Sequence, residues 1–305
     1  MSKSIGNYDP WPELSAEEFQ KTAHLLHMCV QAIGKLMLTL PFEPHWANIA
    51  MPLTSRGVTT GMIPYHLGTF SVDMDFIDHS IICTTSWGKV GKVKLRSMSV
   101  AELTGEVFKT LKSMGVDIEI NQTPQEVSNP IAFDQDRAPR DYNEKVVNAW
   151  WRIMVSTYRV LLKHHSKFYG ITPKIGLFWG TLDLRDARYK GVHLPITKAT
   201  SNFIARNAMD DVQFEVGWSS SNEKYPNPSF FAFAYPKPDG YEHAKISPKG
   251  AKWVPAINEF ILDNDELRKS KDPEGDLLAF FETGYRAFAE LGKWDPQLLV
   301  RGKAI

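Results

Sequence analysis

The chain has 305 residues, 43% of them hydrophobic and 23% charged, a balance that belongs to ordinary globular domains and excludes a disordered or fibrous chain. Its 35 Lys and Arg are matched by 35 Asp and Glu, so no global field steers it toward nucleic acid or an acidic membrane surface. It has no apolar run of about 18 residues and no signal-like start, so the expectation is a cytoplasmic protein with neither a nucleic-acid nor a membrane partner.

In chain order, Ser15 and Glu18 have the spacing of a capping box. Phe19, Ala23, Leu26, Val30, Ile33, Met37 and Leu40 follow as one helical stripe that Pro41 and Pro44 end. The period then changes to two. Phe70, Val72, Met74 and Phe76 alternate with Ser71, Asp73 and Asp75, and further runs at 81–85 and 90–95 predict an antiparallel meander. Ser99 and Glu102 form a second capping box, Gly115 ends that helix, and 116–120 reads as a short strand.

Residues 121–142 carry prolines and polar residues without a period and read as a linker. Asp141 and Glu144 are candidate caps for a long helix through Trp150, Trp151 and Leu161. Strands are expected at 174–184, 212–218, 229–235 and near 260–262, and a last helix opens at Asp272-Pro273 and ends at Gly292. The fold class is therefore α+β, two tandem helix–antiparallel-sheet–helix halves at 1–120 and 143–305. We read them as an internal duplication, with joined sheets and helices on one face. Cys29 and Cys83 both fall in apolar runs and read as reduced core residues.

The open sheet face is where chemistry is expected. Strand parity puts Trp179, Thr181 and Asp183 on one face of the run at 174–184, and Gln213 and Glu215 opposite Phe214, Val216 and Trp218. Gly176 and Gly180 beside Trp179 point to a close approach. His24, His27, Gln31 and Lys35 share one arc of the first helix, facing either solvent or a groove. The segment from Arg56 through Thr60 to Gly61 has the makings of an anion-holding turn, and a plain turn is the simpler alternative. Tyr235 precedes a proline-stiffened loop. No Walker loop, dinucleotide fingerprint, nucleophile elbow or zinc spacing occurs, so no cofactor and no metal is expected.

Trp11-Pro12-x-Leu14, Leu26-His27-x-x-x-Gln31-x-x-Gly34-Lys35, His45-Trp46, Arg56-Gly57-x-Thr59-Thr60, Asp73-x-Asp75-Phe76-x-Asp78-His79, Phe178-Trp179-Gly180 and Ala234-Tyr235-Pro236-x-Pro238-x-Gly240 are dispersed over nearly the whole chain. Together they resemble a bacterial family classed as a domain of unknown function. The resemblance implies one full-length unit and transfers no activity. It departs from the family at Phe214, where the family pattern has a His before the Glu, and at Ala47, where it has an aromatic. A role that needs that His is not carried over.

Three functions are weighed. The first is binding of a small polar or anionic molecule in a cleft on the open face between the halves, with Trp179 and Tyr235 stacking, Arg56 and Lys35 holding an anionic group, and His27, Gln31, Thr60 and Asp75 adding polar contacts. The second is an enzyme using Asp183 or Glu215 as general acid or base. The third is a non-catalytic protein-interaction module. Oligomeric state is left open.

Overall fold

A computed structural model describes residues 8–198, 202–220 and 224–299. The first helix, α1 (Ala16–Gly34), is capped by Ser15, whose side chain accepts from the Glu18 amide. Five strands follow: β1 (Gly57–Thr59), β2 (Ile63–Tyr65), β3 (Gly68–Asp75), β4 (Ser80–Thr85) and β5 (Val90–Lys94), then α2 (Val100–Ser113). They form an antiparallel sheet of order β1-β3-β4-β5, with β2 also pairing β3. Register aligns Val72 with Cys83 and Met74 with Ile81, so these apolar residues share the buried face while Ser71 and Thr84 bond across the other.

The second part of the chain runs α3 (Glu144–His165), β6 (Gly176–Phe178), β7 (Asp183–His193), α4 (Phe203–Ala208), β8 (Asp211–Ser219), β9 (Ser229–Tyr235), β10 (Lys252–Val254), β11 (Glu259–Asp263), α5 (Asn264–Arg268) and α6 (Pro273–Leu291). Its sheet has the order β10-β11-β9-β8-β7-β6. Helices with two antiparallel sheets make the chain α+β, as the periodicity predicts. No helix among the described residues is long and apolar enough to cross a membrane.

By contacts the chain divides into two compact units. The first holds residues 14–151 and 176–183, and the second holds the described parts of 1–13, 152–175 and 184–305, so that α3 is divided after Trp151. In the first unit Phe76 packs edge-on against Trp150 at 5.3 Å and Phe19 stacks on the same indole. In the second, α6 packs on β8 and β9. Phe214 meets Phe288 and Tyr285 at 5.6 Å each, and Gly284 leaves room for Ala232 and Phe214.

Several local expectations are corrected. Residues 116–120 form no strand. The run 174–184 is not one strand: β6 stops at Phe178, residues 179–182 turn, and Leu182 takes a left-handed φ of 61°. Parity therefore does not carry from Trp179 to Asp183. The cap of α3 is Asn143, whose side-chain oxygen accepts from the amides of Lys145 and Val146, and not Asp141. Residues 121–142 contain no helix or strand, but Gln31 of α1 holds their backbone at Gln125.

Candidate functional site

Steps of four residues put His27, Gln31 and Lys35 on one side of α1, and in the first unit that side is neither solvated nor open. Gln31 is fully buried. Its amide nitrogen donates to the carbonyls of Gln125 and Gly180, and its oxygen accepts from the Gln125 amide. Lys35 donates to the carbonyls of Asn121 at 2.9 Å and Thr123 at 2.5 Å, and its ammonium lies 5.5 Å from the Phe133 ring centre. Burial lowers Lys35 to about 8. The nitrogen Nε2 of His27 meets the carbonyls of Gly180 at 2.9 Å and Trp179 at 3.2 Å, which assigns the proton to Nε2. Desolvation pulls this imidazole down to about 4 against those bonds.

These three side chains thus satisfy the backbone of two irregular segments, 121–125 and the turn after β6, whose carbonyls have no ladder to join. Trp179 lies in the same place, buried against α1. A Cβ on Gly34 would sit 2.2 Å from its Cγ, so glycine is what lets the indole approach. Trp179 packs the interior, and Lys35 is committed to two carbonyls.

Arg56, Thr60 and Asp75 come together in the first unit, but they complete one another. Arg56 binds Asp75 through Nε at 2.5 Å and Asp78 at 2.9 Å. The other oxygen of Asp75 accepts from the amides of Ile77 and Asp78. Burial pushes the Asp75 carboxyl up, yet Arg56 and the two amides outweigh it and hold it below the usual range. The Thr60 hydroxyl donates to the Gly61 carbonyl and accepts from the Val72 amide. The amides expected to hold an anion are also taken: those of Arg56 and Gly57 by the Thr54 hydroxyl, that of Gly61 by the Thr59 hydroxyl. The plain turn is what forms here.

Asp183, half-buried at the first position of β7, belongs to the first unit. Glu215 and Tyr235 belong to the second, and there the structure brings them to one face of the sheet, opposite the face that packs on α6. Register places Gln213 beside Tyr235 and Glu215 beside Phe233. Arg185 on β7 reaches Oε2 of Glu215 at 2.7 Å, both side chains being nearly buried. Gln213 donates to the Ala208 carbonyl. The remaining acceptors, Oε1 of Glu215 and Oε1 of Gln213, are buried with no hydrogen-bond partner among the described residues. Phe233 and Tyr235, both half-buried, stack with ring centres 6.3 Å apart and planes 10° off parallel. The plain alternative of a solvated strand face does not hold for β8, since Gln213 and Glu215 are 0% and 4% exposed.

A further cluster was not singled out from the sequence. The buried carboxylate of Asp186 joins two successive imidazoles at the end of α3, Nδ1 of His164 at 3.0 Å and Nδ1 of His165 at 2.7 Å. Burial pushes Asp186 up, but the two histidines outweigh it and hold the carboxyl low. The bond to Asp186 raises His165, whereas burial lowers His164. Arg188 donates to the His164 carbonyl and lies 4.2 Å from the Tyr285 ring centre. The signal in the sequence was the parity of Leu184, Asp186 and Arg188, two charges on the core face of a strand. Chemically this is a carboxylate-anchored imidazole able to exchange a proton at the other nitrogen of His165. Among the described residues no group of three or more His, Cys, Asp or Glu is placed to hold a metal ion. Cys29 and Cys83 are buried and unpaired, and burial raises the Cys83 thiol to about 12.

A family model described as a family of unknown function (DUF5996) matches residues 11–301. No curated protein and no solved structure matches the chain.

Proposed function

We propose that the chain, which belongs to that family of unknown function, binds a small polar molecule on the face of the second unit formed by Arg185, Gln213, Glu215, Phe233 and Tyr235. One observation carries the reading: two buried acceptors, on Glu215 and Gln213, have no partner among the described residues, beside a half-buried aromatic stack. A buried acceptor left unpaired costs about 1–3 kcal/mol, a cost that a molecule donating to both atoms would remove. The rival reading of Glu215 as general base is weaker, because its charge is already matched by Arg185 at 2.7 Å.

The internal duplication rests on the repeated order of helix, antiparallel strands and helix.

The test is a thermal-shift screen of small polar metabolites against the wild-type chain and the Gln213→Leu and Tyr235→Leu variants. The expected result is a Tm that rises with ligand concentration in the wild type and much less in both variants. Stabilisation that is unchanged in both would place the ligand elsewhere and overturn the proposal.

A further inference from the structure

We propose that the second unit carries a separate site for a phosphate-bearing small molecule, in a cleft of about 510 Å³ between the exposed side of α6 and the loop that leaves β9. The site is independent of the strand face above, since none of its lining residues lies on β7, β8 or β9.

Two anchors hold the loop against the helix. Gly240, at a left-handed φ of 84°, turns the chain after β9. The next residue, Tyr241, is fully buried, its ring edge-on to Phe260 at 5.2 Å and to Phe288 of α6 at 6.0 Å. Further along, the Ser247 amide donates to the Thr283 hydroxyl of α6 at 3.1 Å. Between these points the backbone is extended at Ala244, so His243 and Lys245 leave it on one side, and both are exposed. Arg286 lines the same cleft from α6. Among the described residues none of these three side chains forms an ion pair or a hydrogen bond, and the acid beside His243, Glu242, is taken by Lys237 at 2.6 Å. Two cations and an imidazole thus face a single lining carboxylate, Glu290, one turn beyond Arg286, and the balance favours an anion.

The donors also select the kind of anion. A guanidinium fork, an ammonium and an imidazole N–H offer more donors than the two oxygens of a carboxylate take up, whereas the three terminal oxygens of a phosphate accept from all three groups. Ala287 and Leu291 line the remainder, an apolar floor for the carbon body, and Glu290 gives an acceptor for a hydroxyl or amine on that body. The volume lies within the roughly 300–1,000 Å³ of small-molecule clefts.

The experiment titrates the full chain with phenyl phosphate and with benzoate, two probes that share a ring, by calorimetry at pH 7 and low salt. The variants are Lys245→Gln and Arg286→Gln, both at exposed positions, and Lys109→Gln on the exposed side of α2 in the first unit controls for loss of charge alone. The expected result is that phenyl phosphate binds at least about tenfold more tightly than benzoate and that each cleft variant weakens it about tenfold, the worth of one charged hydrogen bond, while Lys109→Gln leaves it unchanged. Benzoate bound as tightly as phenyl phosphate, with both weakened by the cleft variants, would overturn the phosphate class. No binding of phenyl phosphate, binding that neither cleft variant changes, or binding that Lys109→Gln weakens equally would overturn the site itself.

Discussion

Gln31, His165 and Glu215 are polar side chains drawn into the interior, and what completes each one decides its role. Gln31 ends on backbone: it receives the Gln125 amide and gives to the Gln125 and Gly180 carbonyls. Gln31→Leu keeps the volume and strands those groups, so it should destabilise the chain by about 3 kcal/mol without touching ligand binding; urea unfolding measures the first and probe titration the second. His165 ends on a carboxylate that raises it above the ordinary 6.5. A group raised in the folded state contributes stability that is full below its unfolded value and fades as pH rises through the folded one. His165→Asn should therefore cost more stability at pH 5.5 than at pH 8.5. Equal losses at the two pH values would contradict the Asp186–His165 pair.

Among the elements, helix ends show how far local sequence reaches. Ser99 and Glu102 form the full capping box that their spacing predicts. Gly115 closes α2 at a φ of 92°, with the amides of Gly115 and Val116 bonded to the carbonyls of Lys112 and Leu111. At α6 the same reading is off by one residue. The left-handed position is Lys293, at φ 50°, while Gly292 keeps a φ of −79°, and the amides of Lys293 and Trp294 make the corresponding bonds to Glu290 and Ala289. A side chain at that φ is strained, so Lys293→Gly should stabilise the chain by about 1 kcal/mol, read as a higher urea midpoint with unchanged slope. The strands show the other limit. β3, β4 and β9 follow from their period, but the run 174–184 hides a turn, because Leu182 bears no sequence mark of a left-handed residue.

For the whole molecule, the sequence discloses the α+β class and most elements, since these follow from period, caps and breakers within a few neighbours. It discloses only part of the candidate face. Glu215 and Tyr235 are found by parity and loop chemistry, and register brings both to one surface. The residues that the structure places away from that face share a cause: the bonds that fix them join distant segments, as when Gln31 meets Gln125, 94 positions along the chain. A polar stripe that stitches an irregular segment and one that lines a groove have the same spacing. The most direct measurement is an amide-shift NMR titration of the 15N-labelled chain with the small polar metabolites of the thermal-shift screen. The predicted shifts gather at 185, 213–215 and 233–235; shifts centred on 27–35 or 56–75 instead, with β8 and β9 silent, would contradict it.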